Sequence, residues 1–435
     1  MSEGSAKPVR AKVLVAGASG LIGRRVARAL DDAGHDVVFT SRRPRPAAGQ
    51  SALSVDSAEA PSAQWWAGRL RDVDVVINAV GIFREHGRQR FEVLHARAPT
   101  ALFEGAARAG VRLVIQLSAL GSDDGAATAY HRSKHRADES LRKLPIASVI
   151  VQPSLVYAPE GVSSRLFRRL AVLPALALPA TTAEIQPVHV EDLVAAIVGM
   201  VESPPTGSET VAVVGPEPMT LDRYLARLRR AMGIARPAWR LPVPPVIALG
   251  TSRLLAHLPG SLVDPDAIRM LLQGRAADPS AFARWLGQAP RPVESFIRDE
   301  DKRELAQEAA LSTLAMIARL CVAAVWIWTG IVSLGLYPVA DSLALLGDFG
   351  LRGAPAWVAL YAGAMLDLAL GVLTLAAPAR WMGRVWCAQL VVIAGYTALI
   401  TLRMPHWWLH PYGPLSKNLP MMAVIGMLWV MQRGR

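Results

Sequence analysis

Short apolar runs alternate with longer amphipathic stretches along the first part of the chain. Five runs rich in β-branched residues have the composition of buried strands: 12–17, 36–40, 74–79, 112–117 and 147–151. Between these runs, apolar residues recur with helical spacing at 21–33, 91–109 and 128–142. Because strands alternate with helices, we predict an α/β domain with a Rossmann-like, doubly wound parallel sheet over residues 11–297.

Beyond the predicted sheet, the pattern is less regular and richer in proline. Helical spacing returns only in short pieces, at 191–201 and 221–232. We therefore predict a small substrate lobe formed mainly by residues 153–297. The charged segment 298–310 is expected to be a solvated helix or linker, and residues 1–10 are expected to be a polar tail.

The last 125 residues differ from the rest in charge and aromatic content. Residues 311–435 contain eight Lys/Arg and three Asp/Glu, and they hold eight of the 12 tryptophans. Four apolar segments lie within them at 316–336, 357–378, 385–402 and 418–432. Since roughly 20 apolar residues cross a bilayer, we predict an all-α domain of four transmembrane helices, the last of them short.

An even number of crossings places both ends of this domain on one side of the membrane. Six basic residues would then face the cytoplasm and three the outside, in line with the positive-inside tendency: Lys302, Arg303, Arg380, Arg384, Arg433 and Arg435 against Arg352, Arg403 and Lys417. The polar residues 1–10 lead straight into an apolar strand, so we expect no secretory segment. The sequence thus predicts a multi-pass protein of the cytoplasmic (inner) membrane with its α/β domain in the cytoplasm.

The formal net charge of +12 raises the question of an acidic partner. No run of Lys and Arg is interleaved with aromatic residues, so nucleic acid is not an expected partner. An anionic lipid bilayer is the expected partner instead. The two cysteines, Cys321 and Cys387, lie in apolar segments and are expected to be free, buried thiols.

A glycine-rich turn joins the first predicted strand to the first helix. In the run GASGLIG, Gly17 permits the tight turn, Gly20 lets the backbone approach a pyrophosphate, and Gly23 allows the helix and strand to pack closely. The helix N-terminus then offers unpaired N–H groups to phosphates. At this place in an alternating chain, the pattern predicts a dinucleotide site.

The end of the second strand bears on the choice of cofactor. An acidic residue there would bind the ribose 2′-hydroxyl of NAD, but this chain has Thr40, Ser41, Arg42 and Arg43 instead. Guanidinium groups suit a 2′-phosphate. NADP(H) is therefore the favoured cofactor, while NAD(H) remains possible because both arginines can also be solvated surface residues.

Tyr130 and Lys134 are four residues apart and so share one face of a helix. A neighbouring ammonium favours the phenolate form of Tyr130, which would bring its pKa towards the range of a general acid or base. Lys134 could also bind the nicotinamide ribose. Since the pair follows a strand that ends at Ser118, we predict a proton-transfer site.

In these features the chain resembles the short-chain dehydrogenase/reductase superfamily, in its extended and atypical branches. The resemblance rests on GASGLIG, NAVGIF (78–83), QLSALGSD (116–123), YHRSKHRADE (130–139), QPSLVYAPEG (152–161) and QPVHVEDLVAAI (186–197). Within it, the chain is most similar to atypical members related to the accessory nucleotide-binding subunit of respiratory complex I. The stretch PHWWLHPYGPLSKNLP (405–420) is similar to the DoxX-like family of four-helix membrane proteins.

The resemblance implies specific roles for residues of this chain. Tyr130 would exchange the proton, Lys134 would tune it and hold the ribose, and Ser118 would orient the substrate oxygen. The cofactor contacts that it implies are Gly17, Ser19, Gly20, Leu21, Ile22, Gly23, Asp56 at the adenine, Ala79, Val80, Gly81, Pro153, Ser154 and Val156. No metal is implied.

Two residues depart from the pattern of the superfamily. Ala119 stands where a second Ser or Thr usually polarises the substrate carbonyl, so Ser118 or Ser122 would have to fill that role. His95 stands where extended members usually have an Asn that supports the active-site helix. Catalysis is therefore a weaker implication than nucleotide binding.

Three functions are consistent with these residues. The first is a membrane-anchored, NADP(H)-dependent oxidoreductase acting on a carbonyl or hydroxyl of a small apolar substrate such as a quinone, isoprenoid or lipid. The second is a non-catalytic nucleotide-binding scaffold or redox sensor that assembles with membrane-protein partners through the four-helix domain. A nucleotide-sugar epimerase or dehydratase ranks third, because nothing in the sequence specifies a uridine site.

Two polar features lie in the predicted membrane domain. Asp367 falls near the middle of the second apolar segment, where a carboxyl group is costly and often functional. It is expected either to be protonated, to pair with Arg319, or to make an interhelical hydrogen bond. His406 and His410 are four residues apart, but Pro405 and Pro411 interrupt any helix there, so no metal site is expected.

Overall fold

The computed structural model describes residues 10–42, 51–256 and 265–433. Residues 1–9 of the predicted tail and the candidate cofactor residue Arg43 lie outside the described residues. Most of the chain up to Ala306 forms one compact unit, and the chain from Gln307 onward forms another.

A seven-stranded parallel sheet is the centre of the first unit. Its strands are β1 Lys12–Ala16, β2 Asp36–Ser41, β3 Ser51–Ser54, β4 Val75–Asn78, β5 Leu113–Leu117, β6 Ser148–Pro153 and β11 Ser208–Val213. Outside this sheet, six other strands pair two by two: β7 Val156–Tyr157 with β10 Val188–His189, β9 Glu184–Ile185 with β12 Met219–Thr220, and β8 Ala175–Pro179 with β13 Trp239–Val243. The strand order is β11-β6-β5-β4-β1-β2-β3. The predicted Rossmann-like parallel sheet is confirmed, and its carboxyl edge is the edge where such folds bind ligands.

Helices cover both faces of this sheet. The α-helices described between residues 21 and 286 are α1 Leu21–Asp32, α2 Ala63–Arg69, α3 Ala98–Ala109, α4 Ala129–Arg142, α5 Val162–Ala171, α6 Val190–Glu202, α7 Leu221–Ala231, α8 Pro245–Ala256, α9 Pro265–Gln273 and α10 Ser280–Leu286, and not all of them lie on the sheet. On one face, α1 and α6 pack against inward residues such as Val13 and Ile77. On the other, α2, α3 and α4 pack against alternate residues such as Leu14 and Val76. Because both faces are buried, the strands read as continuous apolar runs.

A second apolar cluster lies outside the sheet, within the region predicted as a small lobe. It joins α5, α7 and the short β7, and its buried aromatic residues include Tyr157, Phe167 and Tyr224. The rings of Phe167 and Tyr224 meet edge to face with their centroids 5.4 Å apart. This cluster is a second core beside the sheet, whereas β11 and α6, which also lie within 153–297, belong to the sheet and to the layer that covers it.

The second unit is helical. Its helices are α11 Lys302–Ile331, α12 Val339–Asp348, α13 Ala354–Ala376, α14 Ala379–Arg403 and α15 Asn418–Arg433. The apolar helices containing α11, α13 and α14 are long enough to cross a bilayer, whereas the apolar part of α15 is shorter. The charged segment predicted as a solvated helix or linker contributes the first two turns of α11. The short helix α12 was not predicted.

A buried polar network links three of these helices. The Trp326 indole N–H donates to Gln389 Oε1 over 3.0 Å, and Gln389 Nε2 donates to Thr374 Oγ1 over 2.7 Å. Such hydrogen bonds hold helices together in an apolar surrounding. Arg319 donates to the carbonyl oxygens of Thr374 and Leu375 at the end of α13. Of the three states expected for Asp367, the pairing with Arg319 does not form among the described residues, since Arg319 caps a helix C-terminus instead.

The two cysteines and two histidines of this unit also differ in part from expectation. Cys321 and Cys387 are free, as expected, but both are exposed on the helical unit and not buried. Their neighbours in sequence are apolar, and sequence hydropathy does not distinguish the exposed apolar surface of such helices from a buried core. His406 lies in a short 3-10 turn, Pro405–Leu409, and His410 stacks on Trp407 with the ring centroids 5.5 Å apart.

Candidate functional site

The turn between β1 and α1 is tight, because its backbone lies close to other backbone atoms at two glycines. Gly17 has φ +84°, and a Cβ atom there would lie 2.8 Å from the carbonyl carbon of Ala79. A Cβ atom on Gly23 would lie 2.3 Å from the carbonyl oxygen of Gly17. The Gly20 N–H donates to that same oxygen over 2.9 Å. Glycine is therefore required at two of these positions, and the turn leaves the start of α1 open to a phosphate.

A cleft of about 170 Å³ opens beside this turn at the carboxyl edge of the sheet. Eight of the predicted cofactor residues line it: Gly17, Ser19, Gly20, Arg42, Asp56, Ala79, Val80 and Gly81. Sequence reasoning missed several other lining residues, among them Val55, Ser57, Ala58, Ile82, Gln89 and Leu94. The turn fits a dinucleotide, because Gly17 places no Cβ atom between the start of α1 and the backbone of Ala79 and Val80.

The far rim of the cleft is formed by the end of β2 and the turn after β3. Thr40 is buried and Arg42 is exposed, and both line the cleft. Asp56 Oδ1 accepts a hydrogen bond from the Ala58 N–H over 3.0 Å, so this carboxylate caps a short 3-10 turn. The cleft therefore has a guanidinium and a carboxylate on one rim.

Lys134 lies between two strand ends of the sheet. Its Nζ donates to the carbonyl oxygen of Leu117 over 2.9 Å and to that of Val80 over 3.2 Å. A Cβ atom on Gly81 would lie 3.3 Å from this nitrogen. Burial lowers the pKa of Lys134 to about 8. The structure thus brings Lys134 against the part of the cleft lined by Val80 and Gly81.

Tyr130 lies one helical turn before Lys134 on α4 and is buried among rings. Phe83 stacks on it with the ring centroids 5.2 Å apart, and His95 meets it edge to face at 5.4 Å. The expectation that Lys134 lowers the pKa of Tyr130 is wrong here. Burial, with a further contribution from the Asp138 carboxylate, raises the pKa of Tyr130 above its ordinary value. Tyr130 is therefore a neutral phenol at physiological pH, suited to donate a proton.

Ser118 is hydrogen-bonded to a carboxyl group that was not predicted from the sequence. Its Oγ donates to Asp138 Oδ2 over 2.5 Å, and both residues are buried. Burial raises the pKa of Asp138 to about 6, while the hydrogen bond from Ser118 acts in the opposite direction. Asp138 follows Lys134 by four residues, so Tyr130, Lys134 and Asp138 form one stripe along α4. That spacing was the signal available in the sequence.

Ser122 is the other hydroxyl proposed for the role of the missing Ser or Thr. It is buried, and its Oγ has no hydrogen-bond partner among the residues that the structure describes. Its carbonyl oxygen accepts from Gln152 Nε2 over 3.3 Å. Ala119, which precedes it in the same loop, is also buried.

His95 holds the region around Tyr130 in place. Its Nε2 accepts from the Ile82 N–H over 2.9 Å, and its Nδ1 lies 3.0 Å from Ser133 Oγ. Ser133 Oγ in turn donates to the Tyr130 carbonyl oxygen over 2.7 Å. Burial lowers the pKa of His95 to about 2, so the ring is neutral and carries its proton on Nδ1. His95 thus joins a cleft residue to α4.

The remaining predicted cofactor residues lie beside the cleft or away from its lining. Leu21, Ile22 and Gly23 form the first turn of α1. Pro153 ends β6, and the Ser154 N–H donates to the Val213 carbonyl oxygen over 3.0 Å. Val156 begins β7. The described lining of the cleft includes none of these six residues.

Comparison with known families matches both units. Residues 13–215 match the NAD dependent epimerase/dehydratase family, and residues 323–426 match the DoxX-like family. The chain is 25% identical over 248 residues to ceramide reductase of Caulobacter vibrioides, a match that covers 56% of this chain and 78% of that protein. It is also 25% identical over 236 residues to the mitochondrial NADH-ubiquinone oxidoreductase 40 kDa subunit of Neurospora crassa, covering 52% of this chain and 60% of the subunit.

Solved structures share the fold of the first unit. A nucleoside-diphosphate-sugar epimerase of Staphylococcus aureus gives a TM-score of 0.52 at 16% identity, covering 66% of this chain and 99% of that chain. MoeE5 in complex with UDP-glucuronic acid and NAD gives a TM-score of 0.50 at 18% identity, covering 68% of this chain and 99% of that chain. The first unit therefore carries a short-chain dehydrogenase/reductase-type, NAD-binding domain of the epimerase/dehydratase family, and the second unit carries a DoxX-like domain.

Proposed function

We propose that this chain is a membrane-anchored, NADP(H)-dependent reductase that acts on a carbonyl group of an apolar, lipid-like substrate. One observation carries the proposal: Tyr130, a buried neutral phenol, lies one helical turn from Lys134, which contacts the cofactor cleft through the Val80 carbonyl. A proton donor beside a dinucleotide cleft is the arrangement that carbonyl reduction requires.

In this proposal the cofactor supplies the hydride, and a residue of α4 supplies the proton. When bound, the reduced nicotinamide supplies a hydride to the carbonyl carbon. The Tyr130 hydroxyl donates its proton to the carbonyl oxygen, which becomes the product hydroxyl. Lys134, whose ammonium donates to the Val80 carbonyl at the cleft, holds the nicotinamide ribose in this proposal. Ser122, whose buried Oγ has no described partner, orients the carbonyl oxygen, while Ser118 stays bound to Asp138.

The preference for NADP(H) rests on Arg42. This exposed guanidinium lines the cleft at the end of β2, where NAD-selective domains place an acidic residue. Arg42→Gln should weaken NADPH binding about tenfold or more, as expected for the loss of a charge-assisted hydrogen bond, and should leave NADH binding unchanged. Titration calorimetry on the purified full chain with both coenzymes measures this, and equal losses for both would contradict the preference.

The membrane domain and one relative support the substrate class. A domain anchored in lipid has access to quinones, isoprenoids and lipids, and the relative from Caulobacter vibrioides is named for ceramide. The test is oxidation of NADPH by the full chain in detergent, with long-chain lipid ketones and quinones as substrates and short soluble ketones as controls. Turnover of the soluble ketones alone would overturn the lipid assignment.

A Tyr130→Phe variant tests the proton donor. It should lower turnover at least about 100-fold, the contribution typical of a general acid, and leave coenzyme binding intact. Tyr412→Phe, at an exposed tyrosine of the second unit, is the matched control and should retain turnover. Full activity of Tyr130→Phe would exclude the assigned role.

A second function, a nucleotide-binding scaffold or redox sensor, is favoured by one contact. Ser118, the residue expected to orient the substrate, donates its hydroxyl hydrogen bond to Asp138 instead. The relative from Neurospora crassa is named as a subunit, which supports assembly with partners, and in this proposal the DoxX-like domain of this chain meets them in the membrane. Coenzyme that co-purifies with the chain and is never turned over, together with membrane proteins that co-purify stably, would favour the scaffold.

We also infer a location in the cytoplasmic membrane with the nucleotide-binding domain in the cytoplasm. This orientation requires α15 to cross the bilayer with its 16 residues, about 24 Å at 1.5 Å per residue. It places Lys302, Arg380 and Arg384 inside and Arg403 outside, as the positive-inside tendency favours. Single cysteines placed at Arg380 and at Arg403 in a cysteine-free chain should react with an impermeant thiol reagent from opposite sides of the membrane.

A further inference from the structure

A groove of about 500 Å³ lies in the second unit, where the start of α14 meets the end of α15. Of the seven described residues that line it, two are arginines, Arg380 and Arg384, and none is acidic. Gln432 fixes the two helices at this point. Its Nε2 donates to the Ala379 carbonyl oxygen over 3.1 Å, and its Oε1 accepts from the Trp386 indole over 2.8 Å. Hydrogen bonds between α14 and α15 therefore hold the two walls of the groove together.

The charge in this groove has no counterpart in the described part of the chain. Neither Arg380 nor Arg384 makes an ion pair with a carboxylate of a described residue. The Arg384 guanidinium lies 5.0 Å from the centre of the Trp381 ring, a cation–π contact that orients it without neutralising it. Both arginines lie in the first two turns of α14, at the positive end of the helix dipole. This end of the groove thus favours an anion, and paired guanidiniums suit phosphate.

The groove changes from charged to apolar along α14. Arg380, Arg384, Cys387 and Val391 follow at intervals of four, three and four residues, so they share one face of the helix. Cys387 is exposed, and Val391 is 65% exposed about 10 Å beyond Arg384 at 1.5 Å per residue. Trp429 forms the opposite wall, with its indole nitrogen 3.5 Å from where a Cβ atom on Gly383 would lie. A charged end followed by an apolar strip matches an amphiphile with an acidic head.

We propose that this groove binds an anionic phospholipid. The phosphate lies between Arg380 and Arg384, and an acyl chain runs along Cys387 and Val391. Basic pockets between membrane helices recognise acidic lipid headgroups by this chemistry. Lipid at this position would join α14 to α15 and help to hold the shortest of the apolar helices in the membrane.

The test is native mass spectrometry of the full chain in detergent, with dioleoylphosphatidylglycerol and dioleoylphosphatidylcholine as probes. The wild-type chain should bind phosphatidylglycerol in preference to phosphatidylcholine. One basic side chain at an acidic membrane surface contributes about fivefold in affinity, so the double variant Arg380→Gln/Arg384→Gln should bind phosphatidylglycerol about 25-fold more weakly. Arg403→Gln, which removes the same charge at the other end of α14, should bind it as the wild-type chain does.

A second variant separates the shape of the groove from its charge. Gly383→Leu leaves both arginines in place and fills the space in front of Trp429, so it should also lose the bound lipid. Inorganic phosphate in excess should not displace phosphatidylglycerol. Displacement by phosphate would overturn the lipid assignment in favour of a site for free phosphate. Unchanged binding in the double arginine variant, or equal binding of the two lipids, would overturn the proposal itself.

Discussion

Gly23→Ala is the most direct test of how tightly the cofactor turn is built. The new Cβ atom would lie 2.3 Å from the carbonyl oxygen of Gly17 and 2.9 Å from its carbonyl carbon. Since unstrained contacts need about 3.5 Å, α1 must move by about 1 Å from the turn. Both neighbours are backbone atoms, so no side chain can yield. Overpacking of this kind costs about 1–3 kcal/mol. In a domain of about 150–250 residues this lowers the melting temperature by about 2–12 °C, and in the larger domain at 11–297 by slightly less.

The same movement displaces the amide groups at the start of α1. Hydrogen bonds to a charged group contribute about 1.5–3 kcal/mol each, so losing one weakens the coenzyme about 10- to 100-fold. Calorimetric titration with NADPH and thermal unfolding of the full chain measure the two effects. Gly68→Ala is the control, because a Cβ atom there, within α2, meets nothing within 4 Å. If Gly23→Ala bound NADPH with wild-type affinity, the assignment of this turn as the phosphate site would be refuted.

Three further variants test the interior of the two units. Burial raises the pKa of Asp138 to about 6 from its ordinary 3.8, so the folded chain binds this proton more tightly than the unfolded chain. The stability of the fold therefore falls as pH rises through about 6. Asp138→Asn should remove this fall in melting temperature, whereas the control Glu139→Gln should keep it. Ser118→Ala removes a hydrogen bond to the carboxylate and should move the Asp138 titration, followed by its infrared carboxyl band, to higher pH; Ser122→Ala should not. Gln389→Leu leaves the Trp326 indole and the Thr374 hydroxyl without this partner and should destabilise the helical unit by about 1–3 kcal/mol in thermal unfolding; unchanged melting would contradict a structural role for this network.

The central sheet could be predicted from sequence because of where its strands lie. Strands β1, β4 and β5 are buried on both faces, so their sequences are continuous apolar runs. Strands β3 and β11 form the two edges of the sheet, and their exposed polar residues interrupt the apolar run by which a buried strand is predicted. The short helix α12 has the same problem, since ten residues between two membrane helices carry little periodic signal.

The candidate site could be predicted in position but only partly in chemistry. Spacing placed Tyr130 and Lys134 on one helical face, and the glycines marked the turn. Spacing contains no information on burial, however, and burial reverses the expected direction of the Tyr130 pKa. Asp138 was missed because it stands in a highly charged stretch of sequence, where nothing distinguishes a carboxylate that faces the core from one that faces water.

The stripe along α4 favours an enzyme over a scaffold. Burial alone disfavours the charged form of all three of its groups, raising the pKa of Tyr130 and Asp138 and lowering that of Lys134. Each buried titratable group costs stability that an apolar residue at the same place would not cost. Nucleotide binding needs the glycine turn and an open cleft, neither of which requires three ionisable side chains inside the domain. Groups whose pKa values are displaced in this way cluster at sites of proton transfer. The stripe therefore supports our proposal of proton transfer at the cofactor cleft.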